Sequence, residues 1–154
     1  MTVDAGDRAP DFKLPIDGGG HFSLSALKGK TVVLYFYPKD DTSGCTKEAI
    51  GFRDALAAFE AAGAMVIGVS KDSVARHDRF KAKYDLNFPL VSDEDGTLCA
   101  AYGVWVEKSM YGRKYMGIER ATFLIDGDGR IARVWRKVKV PGHVDEVLAS
   151  VQAL

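Results

Sequence analysis

The sequence predicts an α/β fold, a mixed central sheet flanked by helices on both faces and preceded by an N-terminal hairpin. Three observations carry this expectation. Apolar, β-branched runs alternate with amphipathic helical stretches through the first half of the chain. Two further strand-like runs are joined by the turn Gly127-Asp128-Gly129. A helical segment at 145–154 closes the chain.

Taken in order, the glycine turn at 18–20 followed by residues 21–24 closes the N-terminal hairpin. TVVLYFY at 31–37 is too short for a globular helix and rich in β-branched and aromatic residues, so it reads as a buried strand. Residues 46–63 read as a helix, with Ile50, Phe52, Leu56 and Phe59 largely on one side. AMVIGVS at 64–70 is a second apolar strand, and 73–84 is a polar helix opening on the cap residue Ser73. A short strand at 88–92 and a short helix at 97–102 follow, separated by an Asp95-Gly96 turn. The strands of the late hairpin are 121–126 and 131–136. This element order is thioredoxin-like.

The chain has 154 residues, enough for one domain (1–154) with a sizeable core. Apolar content of 47% and charged content of 27% are those of an ordinary globular protein. A formal net charge of zero argues against a polyanionic partner such as nucleic acid. The basic run RIARVWRKVKV at 130–140 alternates charge with apolar residues, as a strand with one solvated face does. No window reaches the length of a membrane span, and MTVDAGDRAPDF lacks the apolar core of a secretory signal. The expected location is the cytoplasm, where both cysteines, Cys45 and Cys99, stay reduced.

Cys45 is the residue that carries chemistry. It lies in PKDDTSGCTKEA, between the 31–37 strand and the helix after it, on the first helical turn. Unpaired backbone N–H groups and the positive end of the helix dipole stabilise an anion there, and a thiolate is such an anion. Pro38 shapes the turn ahead of the helix. Thr42 places a hydroxyl within reach of the sulfur, either to donate to a thiolate or to hold an oxygen substrate against it. Taken singly, Cys45 would read as a small buried hydrophobe and Thr42 as a helix cap. Strand, Pro38, Thr42, Cys45 and helix start in register favour a reactive thiol.

Pro38, Thr42 and Cys45 fit P-x-x-x-T-x-x-C, and the wider text YFYPKDDTSGCTKEAIGFRD resembles the PrxQ branch of the peroxiredoxins, also called bacterioferritin comigratory protein. The resemblance extends through GDRAPDFKLP, LVSDEDG and YGVWVEKSMYGRKYMGIERATFLID. It implies a thioredoxin-like fold and a thiol-dependent peroxidase that reduces hydrogen peroxide and organic hydroperoxides through a sulfenic acid on Cys45. It implies no cofactor. It places Arg120 as the active-site arginine, although the sequence alone does not separate Arg120 from Arg113 or Arg53. A guanidinium would stabilise both the thiolate and the charge on the departing oxygen. Glu48, one turn after Cys45, is either the carboxylate that orients that arginine or a solvated helix residue. Gly44 either leaves room beside the sulfur or simply permits the turn.

The sequence departs from the family at the resolving cysteine. Many relatives carry it five residues after the reactive one, where this chain has Ile50, and others carry it in the helix at 73–84, which has none. Cys99 in DGTLCAAYG is the sole candidate, and reads as a buried, inert thiol packed through Leu98 and Tyr102. The expected mechanism therefore uses one cysteine, with glutathione, glutaredoxin or thioredoxin as the external reductant. Internal resolution by a Cys45–Cys99 disulfide is the alternative, as is a non-enzymatic redox sensor. A thiol–disulfide oxidoreductase is disfavoured by T-x-x-C in place of C-x-x-C. The resemblance leans to a monomer, though dimers occur among peroxiredoxins. His21, His77 and His143 show no metal-ligand spacing with a cysteine and read as surface residues. The DGDG at 126–129 lacks the other ligands of a calcium loop, and no phosphate-binding glycine motif is present.

Overall fold

The computed structural model describes residues 3–154. Strands β1 (Lys13–Pro15) and β2 (His21–Ser23) pair antiparallel as the N-terminal hairpin. Then come β3 (Thr31–Phe36), α1 (Ser43–Ala61), β4 (Ala64–Ser70), α2 (Val74–Tyr84), β5 (Leu90–Ser92) and α3 (Thr97–Ala101). The second half holds β6 (Trp105–Met110), β7 (Arg113–Ile118), β8 (Ala121–Ile125), β9 (Ile131–Trp135) and α4 (His143–Gln152). The central sheet has the order β5-β4-β3-β8-β9. The β3–β4 and β4–β5 pairs are parallel, and β8 runs antiparallel to both β3 and β9. This is a thioredoxin-like sheet.

The apolar run of β3 is continuous because the strand is covered on both faces. Val32, Leu34 and Phe36 point into one core, with Leu98, Cys99 and Tyr102 around α3 and Phe22 and Leu24 from the N-terminal segment. Val33, Tyr35 and Tyr37 point into the other, with Phe52 and Phe59 of α1, Phe80 of α2 and Val147 and Val151 of α4. Helices α1 and α4 approach closely at Gly51, where a Cβ would come within 2.9 Å of the Val144 side chain. Any larger residue there would push the two helices apart.

Several boundaries differ from expectation by a few residues. Helix α1 begins three residues earlier, at Ser43, and α4 two residues earlier, at His143, while β5 is confined to Leu90–Ser92. A whole element pair went unread. β6 and β7 form a separate two-stranded antiparallel ribbon, turned at Tyr111 and Gly112, both at positive φ. The ribbon is largely solvent-exposed on both faces, so neither strand carries the period-2 apolar signal that marks a strand in sequence.

The reading of all three histidines as surface residues is corrected: His21 is exposed, but His77 and His143 are buried. Burial is tolerated because each ring has a hydrogen-bond partner. His77 bonds Asp40 and the Val91 carbonyl, and His143 Nε2 lies 2.8 Å from Thr122 Oγ1. No described helix is long and apolar enough to cross a membrane.

Burial, against a smaller opposing pull from Glu146, pushes the pKa of His143 down to about 4. The unfolded chain binds this proton near the ordinary pKa of 6.5, so stability is lost as pH falls from there through about 4. The loss from this one group should approach about 3 kcal/mol, at 1.36 kcal/mol per pH unit. Denaturant titrations of wild type and His143→Gln at a series of pH values should show this part of the acid sensitivity absent from the variant.

Candidate active site

The site is built where β3 ends and α1 begins. Tyr37 makes the last ladder bond, its N–H to Val69 O at 3.0 Å. Pro38, which has no N–H, follows and ends the pairing. The chain crosses residues 38–42 and enters α1 from Thr42, which holds the extended backbone of a helix cap. Cys45 is the third residue of the helix, within the first turn and its unpaired N–H groups. No acidic side chain occupies that turn, so the positive helix end is left to the sulfur.

The side chain of Cys45 is buried, at 2% exposure. Arg120 Nη2 donates to Cys45 Sγ at 3.3 Å, while Nη1 donates to Glu48 Oε1 at 2.7 Å. Glu48 lies three residues after Cys45, on the same side of α1. It is fully buried, which excludes the solvated reading of this residue. Arg120 reaches the site because β8 pairs with β3: Ala121 lies opposite Phe36, so the residue before β8 sits beside the strand end that feeds α1. Arg113 is on the exposed ribbon, and Arg53 is bound to Asp54 and the Tyr84 carbonyl. Gly44 leaves room for this contact: a Cβ there would stand 3.2 Å from Arg120 Nη2, so the guanidinium would have to give way by a few tenths of an ångström.

Thr42 is placed differently from the expected donor to sulfur. Its hydroxyl donates to Lys39 O at 2.9 Å and makes no capping bond. With its proton committed, the oxygen can still accept a bond from a substrate hydroxyl. Cys99 is not in the site. It packs with Val32, Leu34 and Phe36, on the opposite face of the sheet from the core that holds Cys45. The Asp93 carboxylate accepts the backbone N–H groups of Leu98 and Cys99, and burial, reinforced by Asp93, pushes the Cys99 thiol pKa far up. It is the inert buried thiol of the sequence reading.

Burial pushes Glu48 up to about 7, and the Arg120 charge offsets only part of that. Its Oε2 and the Tyr35 hydroxyl are buried without a partner. Arg120 loses hydration in the same site, but Glu48 and Cys45 outweigh that loss and hold its proton more firmly than usual. Lys108 of β6, half-buried, is a second cation of the neighbourhood that the sequence did not suggest. Burial, and then the charge of Arg120, lower its pKa. Asp40, Asp72 and His77 bring donor atoms within 4.8 Å of one another, the one such group among the described residues. Each side chain there is already bonded within the protein, so the group does not fit a metal ion.

A thioredoxin-like sheet that sets a buried cysteine on a helix start, against an arginine, defines the class of thiol-reactive enzymes. The chain belongs to the AhpC/TSA family, whose profile matches residues 5–134, and within it to the PrxQ, or Bcp, branch of the peroxiredoxins. It is a thiol-dependent peroxidase. A Coxiella burnetii protein carrying the bcp peroxiredoxin name is 59% identical over 96% of this chain and 98% of its own. Peroxiredoxin Bcp of Bacillus subtilis is 50% identical, with 99% and 97% covered. The structure of Xanthomonas campestris peroxiredoxin Q superposes with a TM-score of 0.92 at 49% identity, covering 98% of each chain. A cysteine-to-serine mutant of Xylella fastidiosa PrxQ gives 0.94 at 45% identity, over 99% and 98%.

The raised pKa of Glu48 has a thermodynamic signature. The folded protein keeps this proton from the ordinary 4.5 up to about 7, so stability falls as pH rises across that window. The drop should be about 3 kcal/mol, since each pH unit is worth 1.36 kcal/mol. Glu48→Gln, which cannot ionise, should show a flatter stability profile between these pH values in denaturant titrations.

Proposed function

We propose that Cys45 is the thiol that reacts with peroxide, in a one-cysteine cycle completed by an external thiol. The Cys45 thiolate attacks the terminal oxygen of the hydroperoxide, an S–O bond forms, and the O–O bond breaks. Cys45 becomes a sulfenic acid and the alkoxide or hydroxide takes up a proton to leave as alcohol or water. An external thiol then condenses with the sulfenic acid, releasing water and forming a mixed disulfide. A second thiol reduces that disulfide and restores Cys45.

Each neighbour has a part in this reading. Arg120 offers fixed donors to the sulfur and to the charge developing on the leaving oxygen. Glu48 holds the guanidinium, and Gly44 leaves space for it. Thr42 accepts a bond from the peroxide hydroxyl, and Pro38 shapes the loop and excludes water. The contact of Arg120 with the buried Cys45 sulfur at 3.3 Å is the observation that carries the proposal. Hydrogen peroxide and small organic hydroperoxides are the proposed substrates; the Xanthomonas campestris bacterioferritin comigratory protein is described as reducing alkyl peroxides.

The external reductant is favoured by the position of Cys99 across the sheet. A disulfide needs Cα atoms within about 7 Å, so Cys45 and Cys99 would have to cross a packed strand layer to meet. Thioredoxin, glutaredoxin or glutathione would supply the electrons to a single-domain, monomeric enzyme in the cytoplasm.

Cys45→Ser should abolish thiol-coupled peroxide consumption with the fold intact; turnover near wild type would overturn the role of Cys45. Arg120→Met should slow the peroxide reaction by about two to three orders of magnitude, the usual loss for one preorganised donor.

Non-reducing peptide mapping after one equivalent of peroxide should recover Cys45 as sulfenic acid or its trapped adduct, with Cys99 free. A dominant Cys45–Cys99 peptide would replace the one-cysteine cycle by internal resolution.

A further inference from the structure

Beneath the loop at 38–42 lies a buried polar group that the peroxide chemistry does not use. His77 Nδ1 stands 2.6 Å from Asp40 Oδ2, and His77 Nε2 stands 2.9 Å from the Val91 carbonyl. Both residues are almost wholly inaccessible. A carbonyl only accepts, so Nε2 must carry a hydrogen. Asp40 Oδ1 is already taken by the Tyr37 hydroxyl, which donates at 2.6 Å. Without a further proton, the Nδ1 lone pair would face a carboxylate oxygen at contact distance, which is repulsive. One proton must therefore sit between Nδ1 and Oδ2, as imidazolium and carboxylate or as imidazole and carboxylic acid. The two descriptions share the same proton.

We propose that the His77–Asp40 pair is a positioning device for Cys45, in which this one buried proton ties α2 to the loop that starts α1 and its loss loosens that loop. The inference rests on Cys45 being the reacting thiol. Asp40 lies two residues before the cap residue Thr42 and is held by three groups: the Tyr37 hydroxyl, Asp72, which takes its N–H at 2.8 Å, and His77. Asp41 next to it sits at φ 59°, a strained position for a residue with a side chain. It is gripped by Lys83 Nζ at 2.8 Å and the Tyr84 hydroxyl at 2.7 Å, both from the end of α2. Helix α2 therefore fixes two consecutive loop residues, and Cys45 follows four residues after the second.

The surroundings favour keeping the proton. Burial alone would discharge His77, but the Asp40 carboxylate and, more weakly, the Val91 carbonyl and Asp72 raise its pKa above 6.5. Asp72 faces the pair from the end of β4 and is itself paired with Arg76, while the Tyr37 hydroxyl, held protonated by burial and by Asp40, closes the side toward β3. Ser92 on β5 is spent on the Asp72 carbonyl, and Lys83 on Asp41. Because the folded pKa of His77 is raised, the tie outlasts the ordinary titration of a histidine and is lost as pH rises through the pair's own titration.

The test uses the reduced full-length protein. Nitrogen NMR of the His77 ring reads the proton, and backbone hydrogen-exchange protection at residues 39–46 reads the loop. The second-order rate constant with hydrogen peroxide, followed against pH, reads the consequence for Cys45. Wild type should keep one proton between His77 Nδ1 and Asp40 beyond the ordinary titration of a histidine, read as a strongly hydrogen-bonded Nδ1 signal, and lose it at higher pH, together with about a tenfold drop in loop protection. Asp40→Ala should show the weakened protection at every pH, and a peroxide rate constant lower by about tenfold with the same mono-oxidised product. Asp40→Asn supplies a permanent N–H to neutral Nδ1 and still accepts from Tyr37. It should keep the loop protected and lose the high-pH loosening. Titration of His77 in the folded wild type at its ordinary value overturns the proposal, as does wild-type loop protection in Asp40→Ala. Should Asp40→Ala not fold, persistence of the high-pH loosening in Asp40→Asn overturns it alone. The NMR and exchange measurements do not involve peroxide, so they decide the pairing even if Cys45→Ser were to overturn the peroxidase role.

Discussion

The guanidinium of Arg120, mostly withdrawn from water, is held between two partners, the Cys45 sulfur and the Glu48 carboxyl group. A buried cation is stable only where its hydrogen bonds are met by opposite charge. That requirement explains the arrangement around it. β8 must lie beside β3 so that residue 120 meets the start of α1. Cys45 and Glu48 must stand one turn apart on a single helix face, and a Cβ at position 44 would crowd the guanidinium. The balance is incomplete on the carboxylate side, where one oxygen of Glu48 is left unpartnered. Burial therefore wins over the ion pair for that residue, while the arginine, with two partners, keeps its charge.

The loop that presents Cys45 is stabilised from the other direction. Asp40 and Asp41 are bound by side chains of α2, by Tyr37 and by Asp72, and none of these reaches the sulfur. The reactive helix start thus has two independent supports: an electrostatic contact through Arg120, and a hydrogen-bonded base through α2. The first holds the guanidinium against the sulfur. The second governs whether the first turn of α1 stays where Arg120 can meet it.

Much of this was legible in sequence. β3, α1 and β4 were readable because burial on both faces of the sheet leaves an unbroken apolar run, and the position of Cys45 followed from their junction. Arg120 was not separable from Arg113 or Arg53 on local grounds, because its place depends on β8 pairing with a strand far back in the chain. Glu48 stood between two readings for the same reason: only the arriving guanidinium gives a reason to bury it. His77 was misread because its partner is 37 residues away and a single histidine carries no periodic signal. Of the two roles expected for the Thr42 hydroxyl, donation to sulfur is excluded because the Lys39 carbonyl of the same loop takes its proton, while holding an oxygen substrate is left open. The β6–β7 ribbon was missed because, with little to bury, its strands need no apolar alternation.

The sheet that separates the two thiols also sets how electrons flow. Each peroxide molecule draws an electron pair from the protein, and in the proposed one-cysteine cycle a cysteine walled off behind β3 contributes nothing to its return. Under the one-cysteine cycle the oxidised sulfur waits for a collision. Throughput at high peroxide is then capped by the concentration of donor thiols, and not by the speed of the oxidising step. During that wait the sulfenic acid is open to a second peroxide, which would carry it to sulfinic acid and remove the molecule from service. An intramolecular resolver would make recovery independent of concentration. In the proposed cycle, the lifetime of the enzyme is tied to the reducing power of its surroundings.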